Sequence, residues 1–175
     1  MTEKVGLLYA TVDGHTTKIT NHIQKVFKEN GKQLYTYKVD MFTEKISSFD
    51  KLIIGSSIRY GVHDKQIIAF IEEHKNELDK IKTAFFSVNL VARKPEKSSP
   101  ETNPYVVKFF KKIKWKPTIK EVFAGMLDYK KYGTFDRIMI QFIMFITKGP
   151  TNKNTVVEYT NWDKVTAFAK RVLTL

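Results

Sequence analysis

A short apolar run, Val5 to Tyr9, breaks into Tyr9-Ala10-Thr11-Val12-Asp13-Gly14-His15-Thr16-Thr17, and a helical pattern with Ile19, Ile23, Val26 and Phe27 on one face follows at once. A nearly continuous apolar run of that length suits a central strand of a parallel sheet, covered on both faces. The turn after it carries chemistry of its own. The first N–H groups of a helix have no intrahelical partner, and the helix dipole is positive at that end, so the turn can cradle a phosphate. Thr11, Thr16 and Thr17 add hydroxyl donors, and Gly14 lets the backbone come close. The stretch is neither G-x-G-x-x-G nor a P-loop, since no Gly-Lys-Ser/Thr follows. An ordinary capped turn, with Asp13-Gly14 turning and Thr16 capping, explains the same residues. On its own the stretch leaves both readings open.

The rest of the chain repeats the alternation. A helix from about Thr16 to Asn30 is followed by Gly31 at a left-handed C-cap. Leu34 to Val39 alternates like a strand nearer the sheet edge. Lys51 to Gly55 reads as a third strand and Thr83 to Val88 as a fourth, with Phe85 and Phe86 at its centre. Between them, Ile67, Ile68, Ile71 and Leu78 have helical spacing. Pro95, Pro100 and Pro104 prevent a continuous helix after the fourth strand. Tyr105, Phe109, Phe110 and Ile113 mark the next helix, and Val122 to Met126 a fifth strand. Thr160-Asn161-Trp162-Asp163 reads as an approximate capping box for the last helix. The fold class is α/β: a three-layer sandwich with five parallel strands in the order 2-1-3-4-5. The loops Ala10–Thr17, Ser56–Gly61 and Asn89–Lys97 follow strands one, three and four. In that order they share one crevice at the carboxyl ends of the strands.

At 175 residues the chain fits a single domain, 1–175, large enough for a substantial core. Cysteine is absent, which removes disulfides, thiolate metal sites and a catalytic thiol. Histidines and acids show no metal-ligand pattern, so no metal is assigned. Glu3 and Lys4 interrupt the start, and no signal-peptide h-region follows. The net charge of +12 favours anionic partners: a membrane surface, a nucleic acid or a substrate bearing carboxylates. Nothing resembles a nucleic-acid recognition fold, so nucleic acid is not among the expected partners.

The chain resembles the flavodoxin superfamily over nearly its full length. Thr11-Val12-Asp13-Gly14-His15-Thr16 is similar to the FMN phosphate loop, whose usual pattern is hydroxyl-x-x-Gly-x-Thr. Val12 and Asp13 stand where many members have further hydroxyls, and an acid beside a phosphate should point away to cap or brace the turn. Gly55-Ser56-Ser57-Ile58-Arg59-Tyr60-Gly61, Phe86 to Lys97, Asp136 to Ile140 and Glu158 to Trp162 narrow the resemblance to the menaquinone-dependent protoporphyrinogen oxidases. Asn89 to Lys97 is the most specific of these strings.

That resemblance implies an oxidoreductase of haem biosynthesis, with FMN as cofactor, protoporphyrinogen IX as donor and menaquinone or a related quinone as acceptor. It also implies a cytoplasmic protein at the inner face of the membrane. A basic flavodoxin-like electron carrier, or a quinone reductase with another donor, is the alternative. Thr11, Val12, Asp13, Gly14, His15 and Thr16 are expected around the phosphate. Tyr60, Ser87, Val88, Asn89 and Leu90 are expected around the ring, and Ser57 among the cofactor contacts. Tyr60 either stacks on the isoalloxazine or is an exposed loop tyrosine; Asn89 either bonds the ring or caps the strand end. His15 either donates to phosphate or is an exposed loop histidine. Arg59, Arg93 and Lys94 are candidates for the porphyrinogen propionates. No residue is assigned as a catalytic base, because the flavin carries the chemistry.

An insertion is expected at about 128–155, after or within strand five. Within it, Ile138 to Ile146 is apolar except for Gln141. A nine-residue helix is about 14 Å long, too short for the ~30 Å hydrocarbon core. It can lie in the membrane interface with Ile138, Phe142 and Phe145 toward lipid or quinone, flanked by Lys130, Lys131, Arg137 and Lys148. Burial in the protein, a contact with a second copy, or a cover over the flavin face are the other readings.

Overall fold

The computed structural model describes residues 3–175. Strand β1 (Val5–Ala10) is buried at all six positions. It pairs in parallel with β2 (Leu34–Lys38) on one side and β3 (Lys51–Arg59) on the other. Beyond β3 come β5 (Lys82–Asn89) and β6 (Ile119–Ala124), both parallel. The two-residue strand β4 (Val62–His63) is antiparallel to β3 and lies off the main path. Without it, the five parallel strands run in the order 2-1-3-4-5.

Adjacent residues of the central strands point to opposite faces. Leu7, Ile53 and Phe86 meet α1 (His15–Glu29) and α5 (Trp162–Leu173) through Ile19, Ile23, Phe27, Val165 and Phe168. Leu8, Ile54 and Phe85 meet α2 (Lys65–Leu78) and α3 (Pro104–Ile113) through Ile67, Ile71, Phe109 and the fully buried Trp115 beyond α3. Both faces of the sheet are therefore dry, which is why the strands read as apolar runs.

Four local features differ from expectation. Ser56–Gly61 is not a loop. β3 continues to Arg59, and Tyr60 and Gly61, at φ of 51° and 77°, form a two-residue turn back into β4. Two successive residues at positive φ match the twist of a tight hairpin. Second, Thr16 does not cap α1: Gly14 is the N-cap at φ 82°, with no side-chain cap. Third, the cap of α5 is Asn161, whose side chain accepts the Lys164 N–H at 3.0 Å. The Thr160 hydroxyl is turned elsewhere, donating to the Ala124 carbonyl at 2.7 Å and meeting His15 Nε2 at 2.6 Å. Fourth, β6 ends at Ala124, and the chain leaves the sheet at Gly125. β7 (Met126–Asp128) and β8 (Val156–Glu158) pair antiparallel as a separate ribbon, and α4 (Thr134–Ile146) lies between them.

Candidate functional site

The carboxyl ends of β1, β3 and β5 open onto one cavity of about 440 Å³. Thr11, Asp13, His15 and Thr16 line it from the first loop, Ser57, Arg59 and Tyr60 from the hairpin, and Val88, Asn89, Leu90 and Arg93 from the end of β5. The fold thus brings together the three segments that sequence placed in one crevice. Val12 is largely exposed, Gly14 shapes the turn, and Ser87 lies buried beneath the floor. Lys94 is half-buried on the adjoining loop, without an ion pair among the described residues.

At the α1 end, the Gly14 N–H donates to the Thr11 hydroxyl at 3.1 Å, which holds the turn shut. The hydroxyls of Thr16 and Ser57 are buried yet have no hydrogen-bond partner among the described residues, and both residues line the cavity. A buried unpaired hydroxyl costs on the order of 1–3 kcal/mol. Two of them beside an uncapped helix N-terminus are donors waiting for an acceptor. Asp13 is drawn aside by the Arg59 guanidinium, 3.3 Å from its carboxylate.

Arg59 does more than brace Asp13. It also bonds Asp136 in the first turn of α4, and the Tyr60 hydroxyl donates to the same carboxylate. Burial works against the Arg59 charge, but Tyr60, Asp13 and Asp136 together outweigh it and raise its pKa. The Tyr60 hydroxyl, with Arg59, holds the Asp136 carboxyl below the usual range. Arg93 is engaged as well, donating to the Leu90 carbonyl at 3.1 Å and the Thr147 hydroxyl at 2.7 Å, so it clamps the far end of α4.

Asn89 caps the end of β5. Its carbonyl oxygen accepts the Ala92 N–H at 3.0 Å and the Asn103 amide at 3.1 Å, while its own amide donates to the Ser87 hydroxyl at 3.2 Å. Ser87 Oγ is also hydrogen-bonded to His63 Nε2 at 2.9 Å. Burial pushes His63 down to about 3 from 6.5. The unfolded chain therefore binds the proton more readily, so stability is full above pH 6.5 and falls as pH drops toward about 3. The loss should approach about 1.4 kcal/mol per pH unit within that window. A His63→Gln variant can still bond Ser87 but does not titrate, and its acid melting curve should be the flatter. Parallel curves would remove His63 from the acid response.

The proton count at Thr160 fixes His15. Thr160 donates its hydrogen to Ala124, so His15 Nε2, 2.6 Å from Thr160 Oγ1, is the donor. Burial lowers its pKa and favours the neutral ring. The side-chain N–H is thus tied to Thr160, and what remains for the crevice is the backbone N–H at the start of α1.

The outer wall of the cavity includes Met139, Ile140, Ile143 and Met144, from the run for which a cover over the crevice was one of the readings; sequence reasoning missed Tyr105, Gly125, Tyr132 and Asp136. Burial pushes the Tyr132 hydroxyl up to about 12. Met144 is 1% exposed, whereas Phe135, Ile138, Phe142 and Phe145 are 63–73% exposed. α4 therefore turns one apolar face to the cavity and the other away from the rest of the chain. The three residues expected to contact lipid or quinone all lie on that outer face. No helix of the described residues is long and apolar enough to cross a membrane.

The sequence pattern of the flavodoxin domain matches residues 6–154. The chain belongs to the flavodoxin family. Within it, the chain groups with proteins named protoporphyrinogen IX dehydrogenase (quinone). The Escherichia coli K12 protein is 39% identical over 170 residues, covering 97% of this chain and 94% of the relative. That of Leishmania major is 38% identical over 169 residues, covering 93% of this chain and 71% of the relative. This family-level match makes the chain an oxidoreductase with a flavin as its class of cofactor. Among solved structures, flavodoxin 2 of Bacillus cereus superposes with a TM-score of 0.52 at 16% identity, covering 98% of each chain. At that identity the superposition speaks for the fold alone.

Proposed function

We propose that the chain binds FMN and oxidises protoporphyrinogen IX to protoporphyrin IX in haem biosynthesis, with menaquinone or a related membrane quinone as acceptor. The observation that carries this reading is one cavity with two contrasting ends. One end holds the orphaned hydroxyls of Thr16 and Ser57 beside the uncapped start of α1. The other is the apolar inner face of α4.

When bound, a flavin supplies reversible two-electron chemistry; the protein supplies position and electrostatics. Thr16, Ser57 and the first N–H groups of α1 donate to the phosphate. Arg59 keeps the Asp13 carboxylate from facing it. The Asn89 cap holds the Val88–Leu90 backbone at the pyrimidine edge, and Tyr60 flanks the ring. The apolar wall around Tyr105 and Ile140 excludes water and receives the flat face of the porphyrinogen. Lys94 is the propionate partner with an unpaired charge, since Arg59 and Arg93 already have acceptors. A position on the inner surface of the cytoplasmic membrane is part of this proposal, supported by the exposed outer face of α4 and the flanking Lys130, Lys131, Arg137 and Lys148.

The test is anaerobic turnover. Protein reconstituted with FMN should convert protoporphyrinogen IX to fluorescent protoporphyrin in the presence of menaquinone and anionic lipid. A chain lacking residues 132–147 should retain flavin yet lose at least about tenfold in kcat/KM, because the substrate wall is gone while the phosphate end remains. Retained flavin without quinone-linked turnover of the intact chain would instead favour the electron-carrier reading.

A further inference from the structure

Helix α4 carries apolar side chains on two opposite faces, yet only Met144 among its residues is buried. Its middle is anchored by Met144, packed among Leu127, Tyr129 and Tyr132, and by the Gln141 amide, which donates to the Thr151 carbonyl at 2.7 Å; its ends carry charged ties. At the N-terminal end, Asp136 receives Arg59 and the Tyr60 hydroxyl, and Arg59 also holds Asp13 of the first loop. At the C-terminal end, Arg93 holds Thr147. A helix that roofs a cavity with few buried contacts and polar ties at both ends is poised to move as a unit.

We infer that α4 is a lid, latched by Asp136 to Arg59 and Tyr60, and that an anionic lipid surface releases the latch and opens the cavity toward the bilayer. The inference rests on the proposed function only for what enters the cavity. Charge favours lipid over a second copy of the chain as the occupant of the outer face. Between Met126 and Thr155 there are five cations, Lys130, Lys131, Arg137, Lys148 and Lys153, against two acids, Asp128 and Asp136. Of the two acids, Asp136 is already neutralised by Arg59. Two such faces brought together would set like charges against each other, whereas an anionic headgroup layer attracts them. The exposed stripe Phe135, Ile138, Phe142 and Phe145 then enters the interface. Lipid phosphates also compete with Asp136 for Arg59, at a surface where ion pairs are weak. Opening in this way leads the cavity into the layer where an apolar quinone dissolves, and closure keeps the cavity covered away from it.

The chain has no cysteine, so cysteines placed at Val62 on the hairpin and Thr134 at the start of α4 provide a unique pair of spin-label sites. In the FMN-loaded full chain, the distance between labels should lengthen on phosphatidylglycerol vesicles and stay short on phosphatidylcholine vesicles. Asp136→Asn should give the long distance without lipid, and Tyr60→Phe, which keeps the ring, a mixture of both. Turnover with a water-soluble quinone should rise severalfold on anionic vesicles in the unlabelled protein and already be raised in Asp136→Asn. An unchanged distance on vesicles that demonstrably bind the protein would overturn the lid, as would a short distance in Asp136→Asn. A dimer in lipid-free solution whose formation buries Phe142 would overturn lipid as the occupant. Lengthening without any quinone-linked turnover would uphold the lid and instead sink the enzymatic reading.

Discussion

Replacing Thr16 with valine should separate two quantities that commonly move together: the flavin-free protein should melt at the same temperature or higher, while its affinity for FMN falls by about 10- to 150-fold. Thr16 is 1% exposed, and its hydroxyl has no partner among the described residues although the residue lines the cavity. Valine has nearly the same shape without the hydroxyl. In the empty protein the change removes an unsatisfied polar group, which is neutral or stabilising. With a phosphate in place it removes a hydrogen bond to a charged acceptor, worth about 1.5–3 kcal/mol. Ser57→Ala should act in the same direction from the opposite wall. Flavin fluorescence titration gives one quantity and thermal melting of the stripped protein the other. A Thr16→Val protein that binds FMN like the parent would mean that the phosphate sits elsewhere, and the loop would revert to a structural turn.

What sequence made legible was the part governed by local rules. The buried strands could be read because both sheet faces are covered, and the first loop because glycine, hydroxyls and a helix start fall together. The strand order then placed the three loops in one crevice. What it hid depends on contacts distant in the chain. Arg59 reads as a free cation on a ligand-side loop, but its partners are 46 and 77 residues away. The hairpin was obscured because its turn uses Tyr60 at positive φ instead of the usual Asn-Gly signal. α4 is apolar nearly all round, so periodicity carries no information about which face roofs the cavity. The α5 cap was misplaced by one residue, because Thr160 and Asn161 are both good caps by residue type and only the tertiary structure shows the Thr160 hydroxyl turned to Ala124 and His15 while Asn161 accepts the Lys164 N–H.

Gly55→Ala should be the most damaging single-methyl change near the site, costing more than about 3 kcal/mol. Gly55 and Phe86 face each other across β3 and β5. A Cβ at Gly55 would lie 2.2 Å from Phe86 Cζ. The ring cannot swing aside, since it is fully buried and packed against Phe123 and Phe168 with centroids at 5.6 and 5.9 Å. The strands must then separate, and the next pairs in register are Ser56 with Ser87 and Ser57 with Val88. Ser57 and Val88 line the cavity and Ser56 and Ser87 lie buried beneath it, so flavin affinity should fall together with stability, unlike in Thr16→Val. At roughly 2–4 °C per kcal/mol for a chain of this size, the melting temperature should drop by at least about 6 °C. Phe86→Leu destabilises the parent by hollowing the core, but in the Gly55→Ala background it also relieves the clash. The double variant should therefore be more stable than the sum of the two changes predicts, by more than about 1 kcal/mol. Strict additivity would show that the backbone, not the Phe86 ring, absorbs the added methyl.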